Sequence, residues 1–397
     1  MTSTLKRSAA IGQDRLFFLD WLRILAFAVL VVYHVGMYYV TWDFHIKSPY
    51  ANAALEPWMR LSAPWRMDLL FLISGAATFF LLQREGVTTQ TLWARIRRLL
   101  VPLLFGVLVI VPPQSWMEVV QKLGYAGSYW TFLGLYLTGC QDFCFAPGKC
   151  LILPTWNHLW FLAYVLVYTP ILWLVLSRWP VFLDRLANWA QSEHSHTGWM
   201  IWPIVYLVLT RLLLGKPFPV SHALWGDWFA HSQHMAFFIL GAVAARAPQF
   251  WVWVVKMRWA AFVAALASWY LLVFANRLLL VADLPFQLGG VLFYSCQQWC
   301  AIVAALGFAR LHLNRDGPLR RYLSPAVFPV YILHQTLIMV LANTFAPLKL
   351  PAPLEGVLLA ALTLALSLAA YEMIQRQMWA RPLFGIRITA RHQTQPL

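Results

Sequence analysis

Leu19-Asp20-Trp21-Leu22-Arg23 opens an apolar run that continues through Val31-Val32-Tyr33-His34-Val35, so three ionisable side chains sit inside one hydrophobic segment. Placing such groups in hydrocarbon is costly, and their presence marks a candidate site. On a helix Asp20 and Arg23 are three residues apart and share a face. Arg23 and His34 are eleven apart, which at about 100° per residue returns to nearly the same side, roughly 16 Å further along. One stripe therefore carries an ion pair near one end and an imidazole beyond it. Histidine titrates closest to neutrality, and a neutral imidazole in a dry cavity takes a proton from a hydroxyl and returns it to a leaving group. The competing reading is structural: His34 bonds a backbone carbonyl, and Asp20 with Arg23 pins the helix.

Further stretches carry the same kind of chemistry. Trp65-Arg66-Met67-Asp68-Leu69-Leu70-Phe71-Leu72-Ile73-Ser74-Gly75 lies in a second apolar run, and Arg95-Ile96-Arg97-Arg98 precedes a third. Three guanidinium forks beside a helix start suit phosphate oxygens, although loop arginines also serve as ordinary membrane anchors. Asn157-His158-Leu159-Trp160-Phe161-Leu162 falls at an expected membrane edge, where aromatic belts are routine. His334 and Glu372 fall inside apolar runs, so each needs a partner or a wet cavity, and a contact between them is one solution. Arg60, Arg66 and Arg211 are expected on the outward side, where they either admit an acidic acyl group or an anionic glycan or are simply solvated.

The elements that position these residues follow from composition. A chain of 397 residues with 61% hydrophobic and only 11% charged residues is a polytopic membrane protein. The expected fold is an all-α transmembrane bundle of about ten helices in a single domain, with short tails at about 1–15 and 376–397. Runs long enough to cross hydrocarbon lie near 16–40, 64–82, 99–119, 157–177, 198–214, 229–245, 259–281, 289–309, 324–345 and 355–375. The first ends in bulky residues rather than a small-residue cleavage site, so it is expected to remain as a helix. Counted over the connecting loops, twenty lysines and arginines fall on one side and nine on the other, which places both termini in the cytoplasm.

The net charge of +15 is dispersed over short loops, and this pattern implies topology and contact with membrane lipids, with no nucleic-acid footprint. Cys140, Cys144 and Cys150 share the longest outward loop, where one pair can form a disulfide or all three can stay free. No metal set is expected, since a fourth ligand at metal spacing is missing. Cys296 and Cys300, one turn apart, read as packing residues. No GxSxG elbow, HExxH helix or P-loop occurs.

In their order and spacing these stretches resemble the acyltransferase 3 family of integral membrane acyltransferases, and among them the glucan biosynthesis protein C branch, associated with succinylation of periplasmic glucans. The matching pieces are Leu19-Asp20-Trp21-Leu22-Arg23 with His34, Arg66 to Gly75, Arg95-Ile96-Arg97-Arg98 with Pro102, His158 to Leu162, Tyr331-Ile332-Leu333-His334, and Tyr371-Glu372. The resemblance implies an acyl-CoA-dependent O-acyltransferase of the inner membrane. It would move a succinyl or acetyl group from succinyl-CoA or acetyl-CoA, the co-substrate, to a hydroxyl of an extracytoplasmic glycan, with no bound cofactor. It implies His34 as catalytic base and Arg95, Arg97 and Arg98 beside the donor entrance. Asp20, Arg23, Ser74, His158, Trp160, His334 and Glu372 would shape or support the cavity. The alternative is a proton-coupled exporter of a glycan or lipid-linked intermediate, using Asp20, Arg23, His34 and Glu372 as a relay.

Overall fold

A computed structural model describes residues 16–387, apart from 180, 182–183, 187, 189–194 and 276–283. Lys6, Arg7, Arg15, Arg277 and Arg391, which count toward the loop charges, lie outside the described residues, as do the expected N-terminal tail 1–15 and positions 388–397 of the expected C-terminal one. The chain is a helical bundle. Its helices are α1 (Phe17–Tyr39), α2 (Glu56–Ser62), α3 (Arg66–Glu85), α4 (Thr89–Phe105), α5 (Pro112–Leu123), α6 (Tyr129–Leu137) and α7 (Trp160–Arg178). There follow α8 (Ser195–Leu214), α9 (Trp228–Ala244), α10 (Pro248–Tyr270), α11 (Leu284–His312), α12 (Pro318–Phe345) and α13 (Ala352–Arg376).

Among the described residues, eight helical stretches are long and apolar enough to cross a membrane. They cover eight of the ten expected crossings. The other two are present as helix but differ in kind. The expected run at 229–245 is α9, 17 residues long and thus at the short end for a span. The expected run at 99–119 is broken: α4 carries Arg95, Arg97 and Arg98 around its middle, inside the helix rather than before its start, and Pro102 toward its end; a π-helical turn follows over Gly106–Ile110, and α5 then starts at Pro112. Pro102 and the π-helical turn each interrupt the regular hydrogen-bond ladder, which is the usual physical cause of a kink.

Caps set the boundaries that matter for the site. Thr88 accepts the Thr91 amide through Oγ1 at 3.2 Å to start α4. Gly86, at φ 88°, ends α3 in a backbone conformation that glycine adopts without a Cβ penalty. Lys47 turns back to the end of α1 and donates to the carbonyls of Met37 and Val40 at 2.7 and 2.8 Å, satisfying groups the helix leaves free.

Packing follows from small residues. A Cβ on Gly75 would strike the Phe238 carbonyl, and one on Gly241 the Leu72 carbonyl, so α3 and α9 touch backbone to backbone. In membrane bundles, where apolar side chains gain nothing over lipid, such close approach supplies the attraction. Phe71, Phe161, Tyr164, Tyr168 and Phe238 fill the adjoining interior. Beyond α5 and α6, a short hairpin of β1 (Cys144–Ala146) and β2 (Lys149–Cys150) is closed by a Cys144–Cys150 disulfide, while Cys140 remains free. That selects one of the pairings the sequence left open. Cys296 and Cys300 stay reduced, their sulfurs 3.8 Å apart.

Candidate active site

His34 is held from behind by a chain of hydrogen bonds that assigns its proton. His334 Nδ1 donates to the Tyr331 carbonyl at 2.7 Å, so His334 Nε2 is a lone pair, and it lies 2.9 Å from His34 Nδ1. His34 Nδ1 must therefore carry the hydrogen, which leaves Nε2 as an unprotonated nitrogen with no partner among the described residues. Nothing in one helix makes this arrangement: α1 brings His34 and α12 brings His334, 300 residues apart. His334 is fully buried, and its ring lies nearly parallel to that of Tyr331.

His158 belongs to the same cluster, with its ring at a right angle to His334 and 5.0 Å away. Its Nε2 donates to the Ile332 carbonyl at 3.0 Å and its Nδ1 faces Gln114 Nε2 at 3.3 Å. Gln114 also donates to Thr336 and accepts from Asn157 and Gln335, so both ring nitrogens of His158 are spent on structure. His158 braces α5 and α7 against α12.

His34 opens onto a cavity of about 400 Å³ whose lining includes Arg66, Asp68, His158, Trp160, Arg211, His234 and Tyr331. Arg66 is only 5% exposed, its guanidinium stacks over the Tyr33 ring at 3.7 Å, and no carboxylate pairs with it among the described residues. Arg211 bonds Gln298 at 2.9 Å and stacks over Tyr294 at 4.1 Å. Of the two readings the sequence left open for these outward arginines, ordinary solvation does not hold for Arg66 and Arg211, which line a recess; of the three, Arg60 alone is exposed, over Trp42.

Tyr331 is shared between this cavity and a second chamber of about 220 Å³, lined by Arg23, Ser74, Arg95, Arg98 and Ser324 among others. That chamber in turn shares Arg95, Arg98 and Arg387 with an outer recess of about 490 Å³ that also includes Arg97. Adjacent hollows thus share walls, Tyr331 between the first two and the arginines between the last two, in an order that leads from the basic end of the bundle toward His34. Arg95 bonds Thr78 at 3.3 Å and Arg98 donates to the Gly385 carbonyl at 2.9 Å, so the C-terminal turn at Pro382–Phe384 helps to position the arginine cluster.

Two expected residues lie elsewhere. Asp20 stays at the basic end, bonded to Arg320 at 2.5 Å, with Arg23 at 3.5 Å turning mainly to Ser324 at 2.7 Å. Arg321 and Arg320 also grip Asp316, holding its carboxyl well below the usual carboxylate range. Asp20 thus locks α1 to the start of α12. Glu372 pairs with Gln375 and Arg376 at the end of α13 and does not meet His334, whose ring bonds go to Tyr331 and His34. Its place near the helix end lets it find partners one turn away, so no contact with His334 is required.

One pair escaped the sequence reading. His234 Nδ1 lies 2.6 Å from Asp68 Oδ1, and Gln298 donates to Asp68 Oδ2, also at 2.6 Å. The ring of His234 stacks on Phe71 at 4.5 Å. The signal was available, since both residues sit in apolar runs, but their partnership spans 166 positions.

The fold and the site define a polytopic helical membrane protein whose histidine-lined cavity is set beside arginine-lined recesses. Residues 16–372 match the acyltransferase domain family Acyl_transf_3, and the chain belongs to this acyltransferase 3 family of membrane acyltransferases. No curated protein and no solved structure matches the chain.

Proposed function

We propose that the chain is an acyl-CoA-dependent O-acyltransferase of the inner membrane, of the glucan biosynthesis protein C branch. On this reading it moves a succinyl or acetyl group from cytoplasmic acyl-CoA to a hydroxyl of an extracytoplasmic glycan. The observation that carries this reading is the unprotonated Nε2 of His34, set by His334, in a residue lining a cavity that shares its Tyr331 wall with an arginine-lined chamber. Arg95, Arg97 and Arg98 would neutralise the phosphates of the donor, and the chambers would carry its extended arm inward. Arg23 and His34 are roughly 16 Å apart along α1, a span of the order of a pantetheine arm.

The acceptor hydroxyl attacks the thioester carbonyl as its proton passes to His34 Nε2. The carbon–sulfur bond breaks with its electron pair on sulfur, and the imidazolium returns the proton to the thiolate. Arg66, buried without a carboxylate, is suited to stabilise the negative charge that develops on the carbonyl oxygen. Exclusion of water favours transfer over hydrolysis.

The test compares radiolabelled acyl transfer from acetyl-CoA and succinyl-CoA to periplasmic glycan, in membranes with matched amounts of the intact chain or His34→Ala. Transfer that disappears in the variant supports the reading and names the donor, whereas undiminished transfer removes His34 as base. Glycan movement without covalent change would point to the exporter. Charge reversal at Arg95 and Arg98 should raise the donor KM more than it lowers kcat, and a fall in kcat alone would refute their assignment.

A further inference from the structure

Acyl transfer to a hydroxyl moves one proton from the hydroxyl to the departing sulfur, and His34 suffices to carry it, yet His158, His222 and His234 line the same cavity; His158 is spent on structure, and His222 stacks on Trp160 at 4.2 Å. His234 is held as firmly as His34. Asp68 accepts its Nδ1 hydrogen at 2.6 Å, and Gln298, itself bonded by Arg211 at 2.9 Å, occupies the other carboxylate oxygen. Phe71 stacks on the ring at 4.5 Å and Trp160 lies 5.4 Å away, so the plane is fixed as well. Gln233 accepts from Gln298 at 3.1 Å and donates to Thr210 at 3.4 Å, so it holds Gln298, which in turn holds Asp68. What remains without a partner, among the described residues, is His234 Nε2.

Asp68 is the only acidic residue among the described residues that line this cavity, and it stands behind His234, not behind His34. An imidazole whose far nitrogen donates to a carboxylate is the stronger hydrogen-bond acceptor. The two imidazoles come from different elements, α1 for His34 and α9 for His234, and both line one space of about 400 Å³. A ligand that bonds both bare nitrogens must bring two hydrogen-bond donors, and a polyol offers them as hydroxyls.

We infer that His234 Nε2, set by Asp68, binds a second hydroxyl of the acceptor while a first is presented to His34. The cavity then selects an acceptor with neighbouring hydroxyls, such as a pyranose ring, over a simple alcohol. This inference rests on the acyl-transfer reading for its chemistry, but the binding it describes does not require transfer to occur.

The full-length protein in lipid nanodiscs is tested with methyl glucoside and its monodeoxy derivatives. Binding is read by saturation-transfer NMR without donor, and kinetics with acetyl-CoA or succinyl-CoA. In the intact protein at least one monodeoxy sugar should bind about tenfold more weakly than the parent, the usual cost of one hydrogen bond. His234→Phe keeps the stacking and removes the acceptor. It should raise the KM for methyl glucoside about tenfold, keep kcat at saturating sugar within about threefold and the donor KM unchanged, and abolish the discrimination against that deoxy sugar. Asp68→Asn should act in the same direction and more weakly.

Equal binding of every deoxy sugar by the intact protein overturns the inference, as does failure of the intact protein to bind methyl glucoside. A collapse of kcat at saturating sugar with KM unchanged also overturns it, since His234 would then carry the proton. Sugar binding that depends on His234 without any transfer supports the inference and refutes the acyl-transfer reading instead. The deoxy series on the intact protein keeps the test valid if a variant does not fold.

Discussion

Replacing His334 with phenylalanine isolates the contribution of the hydrogen-bond chain behind His34. The ring at position 334 is fully buried and its Nε2 is the acceptor, at 2.9 Å, of the hydrogen on His34 Nδ1. Phenylalanine keeps the planar shape and removes the lone pair, leaving a buried donor unsatisfied at a cost of about 1–3 kcal/mol. If that cost falls on the reactive orientation and tautomer of His34, the rate falls roughly five- to 150-fold at about 1.4 kcal/mol per tenfold. Glutamine offers an amide oxygen in nearly the same place, so His334→Gln should recover most of the activity. The assay is initial-rate acyl transfer at saturating donor and acceptor with matched protein levels, paired with thermal unfolding to verify the fold. A phenylalanine variant within twofold of the parent, or a glutamine variant no better than phenylalanine, would refute the assignment of the proton to Nδ1 of His34.

Two structural predictions accompany it. Gly75→Ala or Gly241→Ala should each lower the unfolding temperature in detergent, because the added methyl meets a backbone carbonyl that cannot move aside, and overpacking of this kind costs about 1–3 kcal/mol. Gly134→Ala in α6, where a Cβ meets nothing, is the matched control and should be neutral, and equal behaviour of all three would contradict the close approach of α3 and α9. Lys47→Met should leave the carbonyls of Met37 and Val40 without their cation and cost about 1 kcal/mol, seen as faster amide exchange at the end of α1. Unchanged exchange there would contradict the cap.

Hydropathy and charge were sufficient to identify a helical membrane protein, because about 30 Å of hydrocarbon imposes a length on any spanning helix and excludes unpaired backbone. Individual costly residues were equally legible: His34, Arg23, Arg95 and Arg98 each stood out against apolar or basic surroundings, and the first two were placed on one stripe by helical periodicity alone. What could not be read was which partner each would find. His34 meets His334 across 300 positions and His234 meets Asp68 across 166, and such pairings depend on how α1, α3, α9 and α12 pack, information carried by no single helix. Glu372 stood out by the same rule and stayed apart, because neighbours on its own helix satisfied it first. Residue chemistry and periodicity are local properties written in the chain. The hydrogen-bond partner of His34, the carboxylate behind His234 and the neighbouring hollows between arginine and imidazole exist only once distant helices close around them.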